Sequence, residues 1–287
     1  MKIGIMVSSF RLPLEDSIRK ASELGVKGVQ VNVRQEPQMM YDWSDSKVAD
    51  LVALCRDLGL EICSISGDVA DGHALQINGK NMERARELCR TIDLALKLGM
   101  RVMTSHIGVI PDDPADPVRL NMLQALREVA LYAVSRGVTM AIETGPESPE
   151  TLKSFIEQVN VPGGLGVNLD PANLRMVGSF DPVHAVKLLG KWIVHTHAKD
   201  GINLKSGPAY VRYGVMNPDG TPRVFNEPRP EVNEVPLGKG QVAWDEYLAA
   251  LRNAGYNAYL TIEREAGDNR EGDIRHAVEF LQKKLGC

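Results

Sequence analysis

The sequence predicts an α/β protein, a single closed (β/α)8 barrel spanning residues 1–287. Three observations point there. Short apolar runs recur eight times, with amphipathic helical stretches between them. The runs lack strict period-two alternation, as expected of parallel strands buried on both faces. Ionisable residues close the later runs, and a barrel of this kind builds its active site at the C-terminal strand ends.

The strands are expected near residues 2–8 (KIGIMV), 28–33 (GVQVNV), 61–67 (EICSIS), 101–107 (RVMTSHIG), 139–144 (TMAIETG), 165–170 (LGVNLD), 192–198 (WIVHTHA) and 259–264 (AYLTIE). The first helix, PLEDSIRKASELGV, places Leu14, Ile18, Ala21 and Leu24 on one face, and Gly25 stops it. The second, SDSKVADLVALCRDLGL, puts Val48, Leu51, Val52 and Cys55 at helical spacing, with Ser44 as its cap. NMERARELCRTIDLALKLGM, DPVRLNMLQALREVALYAVSRGV, SPETLKSFIEQV, DPVHAVKLLG, AWDEYLAALRNAGY and REGDIRHAVEFLQKKLG complete the set. Eight βα units in series favour the closed TIM-barrel architecture over an open doubly wound sheet.

One stretch breaks the rhythm. Residues 201–240 carry no helical pattern and are rich in Gly, Pro, Asn and basic residues. A loop this long inside a compact domain is usually functional or disordered. Following the seventh strand, it is expected as an insertion that forms a wall or lid over the pocket. Subunit contact in a homo-oligomer is its other role, and the two can coexist. Its basic residues Lys205, Arg212, Arg223 and Arg229 are placed to meet a sugar hydroxyl or a phosphate, or to be solvated.

Net charge is −4 and the isoelectric point about 5.9, which argues against nucleic acid or an anionic membrane as partner. The four cysteines, Cys55, Cys63, Cys89 and Cys287, form no CxxC pair and read as reduced thiols. IGIMV is too short for a signal sequence, and no run approaches the roughly 18 apolar residues that span a bilayer. A cytoplasmic protein is expected.

The chemistry concentrates in Glu143 of IETG, Asp170 of NLD, His197 of HTHAKD and Glu263 of IERE, each near the end of an apolar run. An unpaired carboxylate is costly inside an apolar strand. A salt bridge across the barrel mouth explains any one of them alone. Three carboxylates and an imidazole at equivalent strand ends point instead to a divalent metal. Such an oxygen-rich set ranks Mn²⁺ first, with Mg²⁺, Co²⁺ or Zn²⁺ as substitutes. The site suits a neutral ketose or polyol. The metal would polarise its carbonyl and stabilise an enediolate, and Glu143 and Glu263 would act as the acid/base pair.

His195 precedes His197 by two residues on the same strand and is expected in the interior. His184 and His276 fall in helices, and His73 in a loop. Candidate substrate contacts are His106, Glu147, Asn173 and Lys199. Each has a plainer alternative: a satisfied barrel histidine, a helix cap, a turn residue after Pro171, and a solvated ion pair.

The motifs IETG, NLDPAN, HTHAKD, PLGKGQVAW and IERE resemble those of the xylose-isomerase-like barrel superfamily of sugar phosphate isomerases and epimerases over essentially the whole chain. That superfamily includes D-tagatose 3-epimerase, hydroxypyruvate isomerase, inosose dehydratase and the apurinic endonucleases of DNA repair. The resemblance implies Glu143, Asp170, His197 and Glu263 as metal ligands, and the two glutamates as acid/base groups. Many members carry histidine three residues after the aspartate, where this chain has Asn173. The endonuclease branch needs that histidine and an Asp-x-His that GKGQVAW does not provide, which removes DNA repair. The resulting expectation is a metal-dependent sugar isomerase or epimerase of carbohydrate metabolism. A dehydratase of an inosose or 3-keto-sugar is the alternative, and a non-catalytic sugar-binding barrel ranks third.

Overall fold

Every apolar run becomes a strand, and the last strand closes on the first. The computed structural model describes residues 1–68, 74–203 and 232–286. The barrel strands are β1 (Lys2–Met6), β2 (Gly28–Asn32), β3 (Glu61–Ser66), β4 (Val102–Ser105), β5 (Thr139–Glu143), β6 (Leu165–Leu169), β7 (Ile193–Ala198) and β8 (Tyr259–Ile262). All neighbours are parallel and consecutive, and β1 pairs with β8 from Lys2 opposite Tyr259 to Ile5 opposite Ile262. Glycine permits one close approach: a Cβ on Gly28 would lie 2.4 Å from the Tyr259 ring.

The connecting helices are α1 (Leu14–Glu23), α2 (Asp45–Asp57), α3 (Asn81–Lys97), α4 (Pro117–Arg136), α5 (Pro149–Val159), α6 (Pro182–Leu189), α7 (Trp244–Asn253) and α8 (Arg270–Leu285). Their starts are written locally. The side chains of Ser44, Asp116, Ser148, Asp181 and Asn269 accept backbone N–H groups in the first turn of α2, α4, α5, α6 and α8. The cap of α5 is therefore Ser148, and Glu147 does not serve as one.

The core lies between strands and helices, where Ile5, Val29, Val31, Ile65, Met103, Met140, Ile142, Val167, Leu169 and Leu260 are completely buried. The barrel ladder slips twice: between Val29 and Gln30 in the β2–β3 pair, and between Val167 and Asn168 in the β6–β7 pair. Such irregularities re-aim side chains, and Gln30 and Asn168 are both polar and fully buried.

Past β7 the chain forms an antiparallel ribbon, Asp200–Asn203 against Val232–Val235. Residues 204–231, the bulk of the segment read as a wall or lid, lie outside the described residues, as do His73, Lys205, Arg212, Arg223, Arg229 and Cys287. Cys55, Cys63 and Cys89 are free thiols. Among the described residues no helix is long and apolar enough to cross a membrane.

Candidate metal centre and active site

Four strand ends deliver four side chains to one point. Glu143 is the last residue of β5, Asp170 and Glu263 directly follow β6 and β8, and His197 is the penultimate residue of β7. At 0–7 % exposure all four are buried. The Nδ1 atom of His197 lies 3.4 Å from Glu143 Oε1, 3.5 Å from Asp170 Oδ2 and 3.2 Å from Glu263 Oε2. One ligand atom from each of the four lies within 4.8 Å of every other.

The local sequence shapes each arm. Asp170 caps a short helical turn, Pro171–Asn173, and its Oδ1 accepts from Ala172 N at 2.8 Å and Asn173 N at 2.9 Å. That fixes the carboxylate and leaves Oδ2 buried without a hydrogen bond, and His197 Nδ1 is left the same way. Buried polar atoms are nearly always satisfied. Two such atoms, aimed at each other amid two further carboxylates, fit a divalent cation: each offers a lone pair toward one centre.

Burial pushes the His197 imidazole down, but the carboxylates of Glu143 and Glu263 outweigh it and hold it well above its usual range. Burial raises Asp170 to about 6 against the pull of His197 and Lys199. Burial also acts to raise Glu263, but Lys199 and His197 overcome it and keep the carboxyl well below its usual value.

The candidate substrate residues surround this centre. Asn173 donates its amide to Glu143 Oε1 and to Thr144 O, both at 3.2 Å, so it orients the glutamate. Lys199, 3 % exposed, donates to Glu263 Oε2 at 3.0 Å and to Glu265, closing one edge of the cluster. Glu147 is buried, and desolvation pushes it up to about 7 against the N–H groups of its own residue and Gly145. His106 Nε2 lies 3.4 Å from Glu143 Oε1. Burial would lower its imidazole, but Glu143 and Asp68 raise it to about 10.

Three residues of this site escaped the sequence reading. Asp68 binds His106 Nδ1 through Oδ2 at 3.0 Å and accepts the His106 N–H through Oδ1 at 2.7 Å. Ser66 and Ser105 donate to the same carboxylate at 2.9 and 3.0 Å. Four donors fill the four lone-pair directions of an ionised carboxylate. Asp68, His106 and Glu143 also come within metal-ligand spacing, but Asp68 would have to surrender those donors to hold an ion. Gln30 Oε1 meets His195 Nε2 at 2.8 Å and His197 Nε2 at 3.2 Å, while its amide donates to Thr104 Oγ1 at 3.2 Å. Asn168 donates to Glu143 Oε2 at 3.2 Å. The available signal was a polar residue inside an apolar run, Gln30 in GVQVNV and Asn168 in LGVNLD.

The other histidines are accounted for. His195 is buried and held well below its usual value by desolvation and by His197. His184 pairs with Glu150 at 2.6 Å and His276 donates to Leu237 O at 2.9 Å, both on outer helices.

A closed parallel barrel with a carboxylate–imidazole cluster at its C-terminal mouth defines the class. The chain belongs to the xylose isomerase-like TIM barrel family, whose sequence profile matches residues 18–284. No curated protein sequence matches it. Among solved structures it is similar to a xylose isomerase domain protein from Planctomyces limnophilus, at 26 % identity and TM-score 0.79, covering 100 % of this chain and 98 % of that one. A D-tagatose 3-epimerase-like protein matches at 20 % identity and TM-score 0.75, covering 100 % and 97 %. A probable 3-DHS dehydratase involved in petrobactin synthesis, from Bacillus anthracis, matches at 20 % identity and TM-score 0.72, covering 98 % and 99 %.

Proposed function

We propose that this chain is a divalent-metal-dependent sugar isomerase or epimerase that moves a proton next to the carbonyl of a ketose or keto-sugar. One observation carries the reading: Asp170 Oδ2 and His197 Nδ1, buried without hydrogen bonds, face each other between Glu143 and Glu263. The oxygen-rich donor set favours a hard ion, Mn²⁺ first, with Mg²⁺, Co²⁺ and Zn²⁺ able to substitute. Such an ion, held by Glu143, Asp170, His197 and Glu263, would act as a Lewis acid toward a substrate carbonyl and acidify the C–H on the adjacent carbon.

The protein's own groups handle the proton. Glu143 and Glu263 come from β5 and β8, three strands apart around the barrel, so they approach a substrate from different parts of the mouth. One takes the proton from carbon; the other returns it to the opposite face, giving an epimer, or the pair returns it to the adjacent carbon, giving an isomer. Lys199 keeps Glu263 ionised, and Asn173 and Asn168 fix both oxygens of Glu143. In this reading His106, which contacts both Asp68 and Glu143, donates to a substrate oxygen.

A second reading, a dehydratase that expels a β-oxygen after the same proton abstraction, is supported by the likeness to the 3-DHS dehydratase fold. Incubating the Mn²⁺-loaded protein with ketoses, 3-keto-sugars and inososes in D₂O, with products read by NMR, tests both. Deuterium at the carbon beside the carbonyl of an epimer or isomer is expected. Loss of water selects the dehydratase, and turnover without exchange leaves hydride transfer or a proton shielded from solvent and counts against the simple form of this mechanism.

A further inference from the structure

The lumen of the barrel contains a polar crossing that ordinary core packing does not require. Gln30 is on β2, and its partners His195 and His197 are on β7 and Thr104 on β4; neither strand neighbours β2 in the sheet. All four side chains are at most 2 % exposed. The crossing starts where the β2 ladder slips, between Val29 and Gln30.

The hydrogen-bond count at His197 is specific. A cation at the centre of the four-residue cluster takes the lone pair of Nδ1, so the ring proton must reside on Nε2. Two amides reach Nε2 at 3.2 Å, Asn168 through its nitrogen and Gln30 through its oxygen. Asn168 presents a donor, which cannot take that proton. It also cannot turn over without setting its oxygen against Glu143 Oε2, to which it donates. Gln30 Oε1 presents an acceptor with two lone pairs, one for His195 Nε2–H and one for His197 Nε2–H. The opposite tautomer would satisfy Asn168 but would drive a proton into the three carboxylates.

We propose that Gln30 is a positioning residue for the metal centre: it accepts the Nε2 proton of His197 and so commits Nδ1 to the cation. Partners that fix a ligating imidazole in this way typically govern metal affinity by 10–100-fold. The inference rests on the metal reading above and is independent of which sugar, if any, is turned over.

Calorimetric titration with Mn²⁺ of the wild-type chain, Gln30→Met and Gln30→Glu tests it. Methionine keeps the volume and removes the acceptor, whereas glutamate restores an acceptor oxygen. The Met variant is expected to bind Mn²⁺ about 10–100-fold more weakly, and the Glu variant to recover most of that loss. In histidine-¹⁵N-labelled wild-type protein loaded with diamagnetic Mg²⁺, the His197 ring is expected in the Nε2–H form. This spectrum remains decisive if the Met variant fails to fold. A His197 proton on Nδ1 in the loaded protein, or Met and wild-type affinities within about twofold of each other, overturns the proposal. Wild-type protein that binds neither ion overturns it together with the metal reading. Normal metal binding with no sugar turnover leaves Gln30 in its role and removes only the sugar chemistry.

Discussion

A carboxylate taken out of water demands compensation, and the barrel mouth buries Glu143, Asp170 and Glu263 around one imidazole. Asp170→Asn replaces an ionised oxygen with a neutral amide while leaving the short turn beyond it a capping group. Bound metal, read by elemental analysis after Mn²⁺ loading and desalting, is expected to fall sharply with an unchanged circular dichroism spectrum. Undiminished metal would remove Asp170 from the ligand set. Asp68→Asn puts an amide nitrogen where the native carboxylate accepts four hydrogen bonds. His106 then loses its fixed ring orientation. An activity loss of about 10–100-fold, with Mn²⁺ affinity by calorimetry unchanged, is expected, and a parallel fall in affinity would make Asp68 a metal ligand instead. The ligand candidates were legible because Glu, Asp and His are conspicuous at the ends of apolar runs. Gln30, Asn168 and Asp68 were not, because their importance lies in contacts across the lumen and along the rim that linear order does not display.

Apolar patterning made the main elements readable: the eight barrel strands and the eight connecting helices follow from it, and Ser44 was visible as a cap. Two features were hidden. The turn Pro171–Asn173 carries an Asp-Pro start, the signature of a capped first helical turn, but it is too short to have a period. The ribbon of Asp200–Asn203 with Val232–Val235 pairs segments distant in sequence and of little alternation. Asp200 ties that ribbon to the start of α7. Its carboxylate, 1 % exposed, accepts from Gly201 N, Gly238 N, Val242 N and Trp244 Nε1. Glycine is required opposite it, since a Cβ on Gly240 would lie 2.1 Å from Asp200 Oδ1. Asp200→Ala abandons four buried donors and is expected to destabilise the fold by about 3 kcal/mol or more. Urea unfolding followed by tryptophan fluorescence measures this, and a change below about 1 kcal/mol would mean that the hub is dispensable.

Closure of the whole barrel converts four separate strand ends into one centre, so ligand binding and global stability are linked. A cation held only by the folded chain, at a hundredfold excess over its dissociation constant, adds about 2.7 kcal/mol. For a chain of this size that corresponds to a rise in thermal midpoint of about 4–5 °C. Calorimetric scans with and without Mn²⁺ are expected to show it in the wild type and not in Asp170→Asn; an equal rise in both would place the ion elsewhere. The architecture was legible from eight repeats of one pattern, whereas the reaction was not, because structures of this fold include an epimerase-like protein and a probable dehydratase alike. The ribbon at that mouth has a consequence for engineering. Asn203 and Val232 stand opposite each other in the ladder, which holds the ends of the intervening stretch about 5 Å apart, whatever its length. Doubling the joined length changes closure entropy by only about 0.6 kcal/mol. Asn203 and Val232 thus act as a fixed pair of anchors for whatever segment joins them. A display library varied there in length and composition is expected to yield protease-resistant members at every length, from an Asn-Gly hairpin turn upward, and survival of the native length alone would refute it.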